Sequence, residues 1–391
     1  MADADGAGAR AWAAQDLQRR MVARAAAGTT EMAAAPMRVA ASAYTCPERF
    51  ERERVALFRR MPLVAGLSRD LPAPGDVMRF EAAGPSIIVA RGKDGVVRAF
   101  RNLCTHRGAK LLTGEEGVCE HRARLTCPFH AWTFDLEGRL VGQPGKAGFD
   151  GGDALWPVAC EERHGVIFVQ PEGAMDLDAH LGELEPVLAM LELGGAEPVK
   201  RGHIDAATNW KYALDTYGEG YHFASLHPGN IGITHISDVA VVDELAPFHH
   251  RVSFPTKAMA ALRGVPEAAW PAMDYGGVHY LFPNTVIFVG AVEPGKTFVQ
   301  LFRLFPESVG QMRCQFAVYA PGGVRDATHR AEVAMAYDMT EAVVRTEDYR
   351  VAAEAFANLR EAPAGFELVL GRNEGVLQRA ARSMAAISAQ R

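Results

Sequence analysis

Polar and apolar positions change period along this chain. "PERFERERVALFRRMP", residues 47–62, reads as a helix bounded by proline at each end. From 63 to about 171 short apolar strands alternate with Gly, Pro and Asp turns. "SIIVARGKDGVVRAF" is a hairpin around Lys93-Asp94-Gly95, "AWTFDLEGRLVG" another around Glu137-Gly138, and "VACEERHGVIFVQP" a closing strand pair. A small all-β domain is predicted there. A helical linker, "LDAHLGELEPVLAML", leads into "VKRGHIDAATNWKYALDTYGEGYHFASLHP", a strand running into one long helix that starts near Asn209. Strands recur at "HHRVSFP", "VHYLFPNTVIFVG", "TFVQLFRLFP" and "MRCQFAVYAP". The last third is helical, through "ATHRAEVAMAYDMTEAVVRTEDYRVAAEAFANLR" and "NEGVLQRAARSMAAIS". The second domain is therefore α+β, an antiparallel sheet covered by helices. The alanine-rich start reads as a flexible arm with one frayed helix over 11–27. The expected division is arm 1–40, helix 41–62, β-domain 63–172 and α+β domain 173–391.

Composition narrows the function classes. With 391 residues, 49% hydrophobic and 23% charged, there is room for two or three domains with sizeable cores. A net charge of −6 offers no general case for nucleic acid or an anionic membrane as partner. No run of about 18 apolar residues predicts a membrane span. The arm carries Asp3, Asp5 and Asp16 and lacks the apolar core of a secretory signal, so a cytoplasmic protein is expected. Six irregularly spaced cysteines make no disulfide framework; metal binding suits the clustered ones better.

The clustered chemistry falls in two groups. "CTHRGA" from Cys104 and "CPFHAW" from Cys127 each hold one cysteine and one histidine in a loop between strands. Two thiolates and two imidazoles suit tetrahedral zinc or an iron–sulfur centre in which histidines replace two cysteines on one iron, and spacing leaves both open. In the second group Asp215, Glu219 and His222 follow i, i+4, i+7 and share a helical face. His222 and His227 are five apart, about 140° around an ideal helix, a poor arrangement for one metal. Pro228 and Gly229 would end or distort the helix there, turning the His227 ring back toward His222.

The two loops resemble the cluster loops of Rieske-type oxygenases, Cys-x-His-Arg-Gly and Cys-Pro-Tyr-His-Gly/Ala-Trp. The resemblance implies a [2Fe–2S] cluster with Cys104 and Cys127 on one iron and His106 and His130 on the other. Twenty residues separate His106 from Cys127, a long insert carrying a second Cys-x-His at Cys119 and His121. Arg107-Gly108 follow His106, nothing similar follows His121, and Phe129 replaces the more usual tyrosine. "NWKYALDTYGEGYHFASLHP" resembles the mononuclear iron motif of the same family. It implies His222 and His227 as ligands of Fe(II), with a carboxylate from "RTEDYRVAAEAF" as the third: Asp348, with Glu347 the adjacent alternative. Glu219 matches the carboxylate that bridges subunits for electron transfer. Asp215 falls where asparagine is common, a hydrogen-bonding group beside the iron or an extra ligand. "FPNT" and "GRNE" also look like family features.

The resemblance implies an alpha subunit of the aromatic-ring-hydroxylating type, an N-terminal Rieske domain followed by a helix-grip catalytic domain. Such a homotrimer would draw electrons from a ferredoxin or an NAD(P)H-dependent reductase and use O₂ as co-substrate. The expected reaction is hydroxylation or dihydroxylation of an aromatic or other cyclic compound. Phe282, Ile287, Phe288, Phe298, Leu301 and Phe302 are candidates for an apolar lining. The alternative is a monooxygenase or demethylase acting on a quaternary amine or methyl ether, although no aromatic cage for a cation is readable. Arg303 and Arg313 read as solvated strand arginines rather than partners of a substrate carboxylate. A Rieske electron carrier would need only the β-domain, and a structural zinc protein gives no reason for Glu219-x-x-His222.

Overall fold

The computed structural model describes residues 2–81, 84–293 and 296–389. It forms two compact units: one comprises 54–179 with 192–197, the other 1–53, 180–191 and 198–391.

The first unit is all-β. Its strands are β1 (Leu63–Leu67), β2 (Asp76–Glu81), β3 (Ser86–Arg91), β4 (Val97–Arg101), β5 (Glu120–His121), β6 (Leu125–Thr126), β7 (Thr133–Phe134), β8 (Leu140–Gly142), β9 (Pro157–Arg163) and β10 (Val166–Gln170). Seven pair in the order β1-β10-β9-β4-β3-β2-β5, and β6-β7-β8 form a separate three-stranded sheet. The hairpin between β3 and β4 turns at Gly95, whose φ of +79° an L side chain rarely adopts. Ile88, Phe100, Trp132 and Phe134 pack into one core, and that core includes Cys104 and Cys127. Hydrophobic packing of the domain thus fixes where both thiols point.

The second unit is a seven-stranded antiparallel sheet covered by helices. Its strands are β11 (Glu197–Ala206), β12 (Val241–Leu245), β13 (His249–Ser253), β14 (Gly277–Leu281), β15 (Thr285–Glu293), β16 (Lys296–Ser308) and β17 (Gln311–Ala320), ordered β11-β17-β16-β15-β14-β13-β12. Alternation sends Gln300 and Phe302 of β16 to one face. There Gln300 Nε2 donates to Ala336 O and Thr340 Oγ1 of the helix Ala327–Val343.

Three sequence expectations change. The helix 47–62 ends at Phe58. The arm is a helix, α1 (Ala2–Ala27), longer than the frayed 11–27 segment, and its Leu17 and Met21 pack on Val241 of the edge strand β12. Gln18 and Arg20 add bonds to Pro271 O and Asp243 Oδ1. Among so many alanines this apolar stripe is faint in sequence, yet burying a Leu and a Met contributes on the order of 1.5–3 kcal/mol each. Finally, the long helix from Asn209 is not continuous. It breaks after α2 (Trp210–Asp215), resumes as the single turn α3 (Phe223–Leu226), and leaves His222 and His227 as the residues flanking α3.

Candidate metal centres

In the β-unit the two Cys/His loops are built alike. Gly108 N donates to Cys104 O at 2.8 Å, and Ala131 N to Cys127 O at 3.0 Å. Each cysteine N–H in turn donates to the carbonyl five residues on, Cys104 to Ala109 and Cys127 to Trp132. The fifth loop residue is left-handed in both, Gly108 at φ +79° and Ala131 at +55°. The loops bring the His106 and His130 rings to 4.7 Å between centroids, with Trp132 stacked on His106 at 4.8 Å.

The donor atoms test whether a cluster fits. Nδ1 of His106 and Nδ1 of His130 are both buried without a hydrogen-bond partner, a cost a native site normally avoids unless something else is bound. Burial, and then His130 and Arg107, hold His106 below the ordinary imidazole range, so its ring is neutral, the metal-binding form. Burial also raises the Cys104 thiol, with Cys127 close beside it. The two thiols lie together and the two rings with unpartnered nitrogens lie together, a paired arrangement that fits a two-Cys, two-His [2Fe–2S] centre. Cys119 and His121 are elsewhere: His121 Nδ1 is 3.0 Å from Asp76 Oδ1 at the sheet edge.

In the second unit His222, His227 and Asp348 bring one ligand atom each within 4.8 Å of one another, a set able to hold a metal ion. The helices α4 (Ala327–Val343) and α5 (Tyr349–Arg360) are joined by a π-helical turn, Val344–Asp348, that presents Asp348 inward. A π turn re-aims side chains within an otherwise continuous helix. Asp348 Oδ1 is 3.5 Å from His222 Nε2 and 3.3 Å from His227 Nε2. The other nitrogens are held from behind: His222 Nδ1 by Glu219, and His227 Nδ1 by Glu347 Oε2 at 2.6 Å. Asn230 Nδ2 donates to the other Glu347 oxygen at 2.8 Å. Burial pushes His227 down, but Asp348 and Glu347 outweigh it and the ring is raised above the usual range. A field that favours a proton there favours a divalent cation too.

Asp348 and Glu347, alternatives in the sequence, therefore face different atoms: Asp348 faces both Nε2 atoms, and Glu347 orients a ring. Asp215 does not join the trio. It accepts from Tyr44 Oη at 2.8 Å, and burial raises it to about 7 against the hydrogen bond from Tyr44 and the charge of Lys211. Glu219 is reached from outside through a cavity of about 270 Å³ whose lining includes Tyr221, Asp238, Glu244 and Arg382. Arg313 pairs with Asp205 on the exposed edge of the sheet. Asn230 bonds to Glu347 and Tyr44 to Asp215, and no sequence motif marked either.

The Rieske [2Fe-2S] domain model matches residues 61–157, and the model of the ring hydroxylating alpha subunit (catalytic domain) matches 193–390. The chain belongs to the ring-hydroxylating alpha subunit family and carries a Rieske domain ahead of its catalytic domain. It is 34% identical over 192 residues to the oxygenase subunit of glycine betaine monooxygenase from Chromohalobacter salexigens, covering 47% of this chain and 42% of that protein. It is 35% identical over 193 residues to the carnitine monooxygenase oxygenase subunit of Escherichia coli K12, covering 48% and 51%. The aligned part thus spans about half the length of these relatives. A crystal structure of a quaternary ammonium Rieske monooxygenase with an inhibitor matches at TM-score 0.74 and 21% identity, over 90% of this chain and 95% of that one. The fold is shared. These names give no support to the expected aromatic catabolism.

Proposed function

We propose that this chain is the oxygenase component of a Rieske mono-oxygenating system that acts on a quaternary ammonium compound. His222, His227 and Asp348 would hold Fe(II); Cys104, His106, Cys127 and His130 would hold the [2Fe–2S] cluster. The observation that carries the reading is the convergence of two imidazole Nε2 atoms on one carboxylate, each ring fixed by a second carboxylate. Two histidines and one carboxylate leave coordination positions free, and iron so held supplies O₂ activation. Glu219 and Glu347 keep both Nε2 lone pairs aimed inward by accepting from the Nδ1 side. Glu219 also lies at the cavity described above, where the cluster loops of a second copy could approach it; the chain would then work as a homotrimer. A ferredoxin or an NAD(P)H-dependent reductase of the cytoplasm would supply the electrons.

The substrate class rests on the relatives' names. Insertion of one oxygen into a C–H bond next to the nitrogen gives a hydroxylated carbon, which collapses to a carbonyl product and a tertiary amine.

The test is a single turnover: protein reduced without oxygen, mixed with quaternary amines, methyl ethers and aromatic acids, exposed to O₂ and read by mass spectrometry. A tertiary amine with its carbonyl partner is expected. A ring product carrying two added oxygens would replace this reading with the aromatic one.

A further inference from the structure

Beside the proposed iron site runs a column of rings and one thiol that the proposed reaction does not use. The Tyr217 and Tyr349 hydroxyls share a hydrogen bond of 2.8 Å, and Tyr349 follows Asp348 directly. The buried Cys314 thiol, 3.9 Å from Gln315 O, is near enough to both phenols for each to affect it. From Tyr217 the rings continue outward. Phe302 is 5.1 Å away; Phe316 stacks on Phe302 at 4.3 Å and 5°; Tyr337 stacks on Phe316 at 4.4 Å and 11°.

Strand register builds this column. Phe302 and Phe316 are direct cross-strand partners on β16 and β17, and Cys314 shares the Phe316 face by its two-residue spacing. Tyr337 reaches them from α4. Its hydroxyl passes over Gly202 of the edge strand β11, where a Cβ would come within 2.5 Å of it. The Lys200 ammonium, 5.1 Å over the Tyr337 ring, caps the outer end.

Core packing explains the phenylalanines. It does not by itself call for hydroxyls on three of the rings, where phenylalanine would fill the same space with no polar group to satisfy. Cys314 and Tyr337 are buried, where a charge left behind is costly, so an electron leaves only together with its proton.

We propose that Tyr217, Tyr349, Cys314 and Tyr337 form an escape line for oxidising equivalents, leading from the His222/His227/Asp348 site to the surface when peroxide reacts there without substrate. This rests on iron being bound at that site. Reduction of one hydrogen peroxide to two waters takes two electrons and two protons. Each passage along the line delivers one of each, first from Tyr217 O–H, which is refilled from Cys314 S–H and then from Tyr337 O–H. A small-molecule thiol in solution refills Tyr337, and two such thiols end as one disulfide.

The experiment uses the full chain with cluster and Fe(II), its iron measured first, treated with hydrogen peroxide without substrate or thiol. Rapid-freeze EPR looks for tyrosyl radical, and peptide mass spectrometry maps oxidation. Wild type should concentrate oxidation at Tyr337 and Cys314 while keeping its iron. Tyr337→Phe preserves the stacked ring and removes the phenol. It should move oxidation inward, to Cys314 and to a Tyr217–Tyr349 cross-link two hydrogens lighter, and shorten survival several-fold. Phe316→Leu should do the same by interrupting the column. Added thiol should protect wild type and not Tyr337→Phe. An identical oxidation map in wild type and both variants, or damage confined to the metal-binding residues, would overturn the escape line while leaving the iron site standing. A chain with no iron at His222, His227 and Asp348 would overturn both.

Discussion

Glu347 and Asp348 are neighbours in sequence but face different atoms. The π turn aims Asp348 at both Nε2 atoms and leaves Glu347 to hold His227 Nδ1. Asp348→Ala should abolish iron binding at this site, with the cluster absorption unchanged. Glu347→Gln, which keeps a polar group on His227, should retain iron at an affinity lowered by roughly 10–100-fold. Iron per chain, measured against competing chelator, separates the two; equal losses would remove the distinction. Asp215 makes a separate prediction. Raised to about 7 from near 3.8, it holds a proton in the fold that the unfolded chain has already released. The unfolded state binds fewer protons between those values, so its contribution to stability is present at low pH and is lost as pH rises through the window. Asp215→Asn still accepts from Tyr44 and carries no charge. Its melting temperature should exceed that of wild type at pH 8 and lose that advantage at pH 5, whereas a pH-independent difference would contradict the assignment. At this scale the metal-binding residue types were legible because thiols and imidazoles at short spacings have few other uses. Asn230 and Tyr44 were not, since an amide and a phenol gain their roles only from what folds beside them.

Where periodicity promised one helix from Asn209, the chain makes two short ones separated at Gly218 and Gly220. The pattern of apolar positions carries through the break, and its one sign in the sequence is the pair of glycines, poor helix formers two residues apart. Packing also requires glycine there: a Cβ on Gly220 would meet the Phe223 and Phe254 rings at 2.9–3.0 Å. The interruption removes the poor 140° angle, because His227 leaves the helix and its ring comes to 5.0 Å from that of His222. Gly232 closes the same turn. A Cβ there would come to 2.6 Å from Phe223 O and 2.7 Å from His227 O, backbone atoms that cannot rotate away. Gly232→Ala should therefore displace His227, costing about 1–3 kcal/mol of stability and weakening iron binding beyond what the stability loss explains. Iron titration beside a melting curve would decide it, and full iron affinity would contradict this. The two cluster loops permit an opposed pair. Gly108 and Ala131 hold the same left-handed position, and Gly108 has only an ordinary contact to Leu103. Gly108→Ala should destabilise by about 1–2 kcal/mol and Ala131→Gly should not. Thermal denaturation checks both, and equal losses would contradict the pairing. The shared hydrogen-bond pattern was hidden in sequence because the histidine falls third in one loop and fourth in the other.

For the molecule as a whole, the alternation of short strands and turns was enough to give an all-β domain followed by an antiparallel sheet with helices. The strand orders were not legible: β1 lies beside β10 and β11 beside β17, pairings closed across most of each domain. Nor was the docking of α1 on β12, where alanine blurs the stripe. Within the described residues no helix is long and apolar enough to cross a membrane. In the proposed function Glu219 carries electrons to the iron. Glu219→Gln should keep both metal centres and slow electron delivery by about 10–100-fold. Stopped-flow absorption of the chemically reduced protein mixed with O₂ and substrate shows whether the cluster's electrons are spent at the iron. In wild type the cluster should reoxidise in step with formation of one product per chain, while in Asp348→Ala, with its cluster intact, it should stay reduced on that timescale and form no product. Cluster reoxidation at the same rate in both proteins, without product, would mean that the chain only carries electrons and would contradict the oxygenase reading.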